Sequence, residues 1–164
     1  MRALIAVLAV LLASCGGPSA PAKTEDATAE LRPLMEKLMA DWGTLDPSNV
    51  AKYYAKDPGL PFYDVAPLKY SGWQEYESGS KKTFSDWKSI KITMGPDFKA
   101  SRNGDIAWAT FTSLFEITPK TGDVIKAAGR NTEVLERRGN DWIIVHEHAS
   151  APMQDAPPPS STKK

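Results

Sequence analysis

Two histidines occur in the 164 residues, and they flank a glutamate in a single run, His146-Glu147-His148. Alternation along a strand places Trp142, Ile144, His146, His148 and Ser150 on one face, with Ile143, Val145, Glu147 and Ala149 on the other. A His-x-His pair can hold zinc when a third ligand joins it, and here that ligand would have to be a carboxylate such as Asp64. The alternative is a pair of structural histidines on a sheet or dimer face, so neither a metal nor any other cofactor is expected.

Arg130 and Thr132 alternate onto one face of the preceding strand. They join the histidine face if the turn at Gly139-Asn140 carries a bulge residue. Arg130 would then either clamp a carboxylate-bearing ligand or close a salt bridge with Glu133, Glu136 or Glu147. Trp73, Tyr76, Phe84 and Trp87 form an aromatic stripe that belongs mainly to the core, some of it walling a pocket. The residues expected around a pocket are therefore Tyr54, Asp64, Trp73, Arg130, Thr132, His146, His148 and Ser150.

The elements that must carry these side chains change period midway along the chain. Leu31, Leu34, Met35, Leu38, Met39 and Trp42 recur at helical spacing, with Pro33 expected in the first turn. Asp46 or Ser48 can cap a second helix bearing Val50, Ala51, Tyr53 and Tyr54, ended by Pro58-Gly59. Residues 61–65 read as extended. Ser71 or Gly72 opens a third helix with Trp73, Tyr76, Ser80, Phe84 and Trp87 on one face. Strand patterns follow over 90–94, 106–117, 124–138 and 141–150, with a break at Gly95-Pro96 and turns at Asn103-Gly104, Thr121-Gly122-Asp123 and Gly139-Asn140. Helices first and long strands afterwards predict an α+β fold, three N-terminal helices packed on a curved antiparallel sheet.

The order of elements resembles the nuclear transport factor 2-like superfamily, and in detail its SnoaL-like members. The resemblance runs over residues 30–153. It is carried by Tyr53-Tyr54, by Phe62-Tyr63-Asp64-Val65-Ala66-Pro67, by Tyr70-Ser71-Gly72-Trp73, by Gly129 to Val134, and most specifically by Trp142 to Pro152. That last stretch also resembles the end of the calcium/calmodulin-dependent kinase II association domain. The resemblance implies a cone with a pocket between sheet and helices, often dimeric through the outer sheet face. It leaves function open, since the superfamily holds isomerases, cyclases, dehydratases, binding modules and assembly domains. Ketosteroid isomerase, one member, combines an aspartate base with a tyrosine and a protonated aspartate. Asp64 with Tyr53, Tyr54 or Tyr63, and a histidine such as His148 opposite, would supply comparable groups, although no stretch repeats that enzyme's catalytic pattern.

The amino terminus bears on location. Arg2 precedes an unbroken apolar run from Ala3 to Ala13, too short to span a bilayer but matched to an export signal. The run ends Leu12-Ala13-Ser14-Cys15, which resembles the bacterial lipobox, and Cys15 is the sole cysteine. The resemblance implies lipidation of Cys15 and cleavage before it, with several acyl chains holding the protein at a membrane. Residues 1–14 are thus expected to be a signal peptide, 15–29 a flexible tether, 30–153 the domain and 154–164 a disordered Pro/Ser-rich tail. The protein would face the periplasm of a bacterial envelope. Gly16 after Cys15, with no aspartate retention signal, favours the outer membrane. Loss of Arg2 with the signal leaves a net charge of −1 with no basic cluster, which argues against nucleic acid as a partner. The remaining partners are the membrane, a small partly apolar molecule or another protein, and a second copy of the chain.

Overall fold

A computed structural model describes residues 23–152 except 66. The expected signal peptide, Cys15 and the tail from 154 onward lie outside the described residues. Strands β1 (Glu25–Asp26), β2 (Pro61–Tyr63), β3 (Tyr70–Ser71), β4 (Trp87–Met94), β5 (Lys99–Asn103), β6 (Ile106–Pro119), β7 (Ile125–Arg138) and β8 (Asp141–Ser150) form one eight-stranded sheet. Its order is β1-β5-β6-β7-β8-β2-β3, with β4 continuing the β5 edge along the far half of β6. Helices α1 (Thr28–Trp42) and α2 (Trp73–Phe84) pack on the concave side. The α+β cone is as expected. The sheet is mixed rather than purely antiparallel, because β2 runs parallel to β8.

The long strands bury one face by strict alternation. Ala107, Ala109, Phe111 and Ser113 of β6 point inward, as do Gly129, Asn131, Glu133 and Leu135 of β7. Leu31, Met35, Leu38, Met39 and Trp42 of α1 close over them, each aliphatic side chain contributing about 1.5–3 kcal/mol through burial. Gly79 sits within α2 because the Tyr70 ring lies where a side chain would be: a Cβ there would fall 2.3 Å from that ring. The ring in turn stacks on Tyr76 at 5.0 Å.

Three expectations about the helices are corrected. Trp87 does not extend the face of α2, which ends at Phe84, but opens β4. The folded unit begins before residue 30: Glu25 and Asp26 pair with Arg102 and Ser101, and Ala27 is buried and donates to the Ala100 carbonyl. Asp26 then accepts from the Thr28 amide at 2.8 Å and starts α1 early, so Pro33 sits inside the helix rather than in its first turn. The second helix is replaced by two short 3-10 turns, Pro47–Asn49 and Ala51–Tyr53, the first capped by Asp46 through the Ser48 amide. Helix does not continue because sheet pairing wins. Tyr54 is extended and bridges Ile144, and the Ala55 amide donates to the Ile144 carbonyl at 2.9 Å.

Candidate functional site

The register between β7 and β8 decides what faces the interior. Glu136 pairs with Ile143 and Leu135 with Ile144, but Val134 pairs with His146, so Val145 is an extra residue on β8. Before this bulge Trp142 and Ile144 point inward. After it Glu147 and Ala149 do, while His146, His148 and Ser150 turn outward. The bulge lies inside the strand, not at the Gly139-Asn140 turn.

The interior surface so formed encloses a cavity of about 320 Å³ between the sheet, α2 and the end of α1. Its walls are largely apolar: Met39, Trp42, Phe84, Trp87, Ile92 and Phe115 are among them. Gly129 also lines it, and a Cβ there would fall 2.6 Å from the Phe115 ring and 2.8 Å from Ser113 Oγ. Its polar lining consists of Asp64, Tyr76, Ser80, Thr83, Asn131 and Glu147. Ser113 donates to Asn131 Oδ1 at 2.7 Å, which leaves the amide nitrogen as the polar atom Asn131 can offer a ligand.

Glu147 is the centre of that group. Tyr54 donates to one carboxyl oxygen and Tyr76 to the other, and Trp42 Nε1 donates to the Tyr54 hydroxyl at 3.1 Å. The bond from Tyr54 exists because its bridge to Ile144 aims the ring inward; the ring also stacks on Trp73 at 4.7 Å. Burial pushes the Glu147 carboxyl up to about 7, against the opposing effect of the two tyrosine hydrogen bonds. Glu133, its cross-strand neighbour, is fully buried, and neither of its side-chain oxygens has a hydrogen-bond partner among the described residues. Burial first, then the charge of Glu147, holds Glu133 well above the usual carboxylate range. Burial also raises Asp64, partly opposed by the Val65 amide that donates to it at 2.6 Å. A carboxyl near 7 lining an apolar cavity can bind a polar group or move a proton.

Of the eight residues expected around a pocket, Asp64 lines the cavity. Tyr54 stands behind the wall and acts on it through Glu147, and Trp73 backs Tyr54. Arg130, Thr132, His146, His148 and Ser150 do share one face, with Arg130 opposite Ser150 and Thr132 opposite His148. That face is the outer one, and pocket membership is corrected for all five. The reason is the bulge at Val145, which inverts the alternation carried forward from Trp142. On the outside, His146 Nδ1 donates to the Pro61 carbonyl at 2.7 Å, and Tyr63 packs edge-on against both imidazoles. Arg130 donates to the Ala151 carbonyl at 3.3 Å rather than facing the cavity. Among the described residues, no three of His, Cys, Asp and Glu come together as a metal site.

Sequence reasoning missed Glu147 as a cavity group and Glu133 as its partner. One signal was available. Glu133 and Glu147 each sit two residues from an inward position, Asn131 or Leu135 and Ala149, on strands that a single hairpin pairs.

A model of the SnoaL-like domain matches residues 32–154. No curated protein matches the chain. Among solved structures it is similar to a nuclear transport factor 2-like superfamily protein from Salmonella enterica, at 19% identity and TM-score 0.71, covering 79% of this chain and 94% of that one. A protein from Streptomyces avermitilis, named as a candidate dehydratase of the same fold family, is 17% identical with TM-score 0.68, covering 78% and 99%. A candidate calcium/calmodulin-dependent protein kinase II association domain from Xanthomonas campestris is 23% identical with TM-score 0.65, covering 77% and 88%. At these identities the structures establish the fold alone. With its family model spanning most of the chain, this protein belongs to the SnoaL-like domain family, built on the nuclear transport factor 2-like fold.

Proposed function

We propose that this protein is a lipid-anchored binding protein of the bacterial envelope, which takes a small, mainly apolar molecule into its cavity on the periplasmic side. The observation that carries the reading is the cavity itself. It is large enough for a ring-sized ligand, and its walls are mainly aromatic and aliphatic with a few polar groups, as in small-molecule sites. An open cavity also weighs against a domain that serves assembly alone. The anchor is proposed from Cys15 and the preceding apolar run, and the outer membrane from Gly16. A homodimer is proposed through the outer sheet face, where Ile106, Trp108 and Leu114 of β6 are exposed.

The test is calorimetric titration of the purified protein with linear phenylbutanol, beside a variant in which Ala127, a cavity-lining position open to solvent, becomes Trp. Saturable binding that Ala127→Trp abolishes supports the reading. Absence of saturable heat sinks it.

A second reading, an isomerase, cyclase or dehydratase, rests on Glu147, whose carboxyl near 7 meets the cavity beside Asp64. The Streptomyces avermitilis protein's name points the same way. In this reading Asp64 and Glu147 handle protons and Tyr54 and Tyr76 hold Glu147 in place. His148, on the outer face, has no part in it.

A further inference from the structure

The cavity's walls carry a charge pattern that narrows the ligand. Two carboxyls, Asp64 and Glu147, line it, and no Lys, Arg or His does so among the described residues. Neither carboxyl forms an ion pair within the protein among the described residues. Asp64 is half-buried, with the Val65 amide as its donor, and Glu147 is 4% exposed with two tyrosine donors. The rings of Trp42, Tyr76, Phe84, Trp87 and Phe115 surround the same space. Aromatic faces attract cations, and a carboxylate shielded from water attracts them more strongly than one in bulk solvent. An anionic ligand would meet the opposite: two acids, and no guanidinium or ammonium to offset its lost hydration. The one arginine that sequence placed beside a pocket, Arg130, is on the other side of the sheet.

Resting on the small-molecule reading above, we propose that the cavity selects organic cations, namely lipophilic amines whose ammonium group sits between Asp64 and Glu147 and whose apolar body lies against the aromatic wall. Neutral isosteres bind more weakly and carboxylates are excluded.

Three linear probes sharing one apolar body separate this inference from the reading beneath it: phenylbutylamine, phenylbutanol and phenylbutyrate. Calorimetric titration of the purified full-length protein at neutral pH gives the affinity of each. The amine should bind about tenfold or more tighter than the alcohol, with no measurable binding of the acid. Asp64→Asn should narrow the ratio of amine to alcohol affinity toward one, with Glu147→Gln as a second variant and circular dichroism confirming that each is folded. If the alcohol binds but the amine binds no better, or the acid binds as well as the amine, cation selection is overturned while the small-molecule reading survives. An amine preference that persists in both folded variants also overturns it, because the charge would then act elsewhere. If none of the three binds, both the inference and the reading beneath it fall.

Discussion

Glu133 and Glu147 stand directly opposite one another on β7 and β8, both pointing into the interior. A buried carboxyl pair of this kind cannot carry two full charges at close range, so one member keeps its proton. The tyrosine donors favour the charged form of Glu147 over that of Glu133, which burial and the Glu147 charge push up. Stability should therefore depend on pH in a definite direction. Glu147 in the folded chain holds its proton up to about 7, against 4.5 for a free glutamate, so its contribution is present below about 4.5 and is lost as pH rises through 7. The raised Glu133 and Asp64 act in the same direction. Denaturant titrations from about pH 5, just inside that window, to about pH 8, a unit above it, should show stability falling with pH. Glu147→Gln should flatten the slope, removing on the order of 2 kcal/mol of pH dependence. An unchanged slope would place the raised carboxyl elsewhere.

Tyr76→Phe removes one donor from Glu147 while keeping the stacked ring. It should cost about 1–2 kcal/mol and shift the pH dependence of stability further upward, since Glu147 loses a group that favours its charged form. Tyr54→Phe should behave alike, and in addition leave Trp42 Nε1 without its acceptor. The check is the midpoint of the pH–stability curve in each variant.

His148→Ala lies on the exposed outer face beside Tyr63. Stability should move by less than about 0.5 kcal/mol, and binding of phenylbutanol should not change. If the outer face is the dimer surface, sedimentation should show a shifted monomer–dimer balance. A loss of ligand binding without a change in association would contradict the placement of this strand face.

A chain of residues 23–153 should fold cooperatively without lipid. Shortening it to 30–153 deletes β1, Ala27, the first residues of α1 and the Asp26 bond to the Thr28 amide, and also the Arg102–Glu25 ion pair at 2.7 Å. The shorter chain should be destabilised by about 2 kcal/mol or more, mainly from lost burial. Equal melting temperatures would show that these residues add nothing to the fold.

Cys15→Ser should release the protein from the membrane fraction or leave its signal uncut, which fractionation and lipid labelling will show. Normal lipid labelling of that variant would end the proposal of an anchor at Cys15.

The sequence by itself determined the class of fold, the helical face of α1, the break at Gly95-Pro96 and the hairpins, because these depend on local period and turn residues. The hairpin expected at Asn103-Gly104 turns one residue later, on Gly104-Asp105, and so sets Asn103 opposite Ile106. It also determined that Arg130, Thr132, His148 and Ser150 lie together, given one bulge somewhere near the last hairpin. What only the tertiary structure decided is where that bulge falls, and so which face is inside. A slip of one residue exchanges every side chain on a strand between core and solvent. At Val145 it takes both histidines out of the cavity and puts Glu147 in. The extended conformation of Tyr54 was likewise invisible locally. Its helical spacing gave way to a backbone bridge with Ile144, ninety residues away along the chain, and no window of sequence contains both partners.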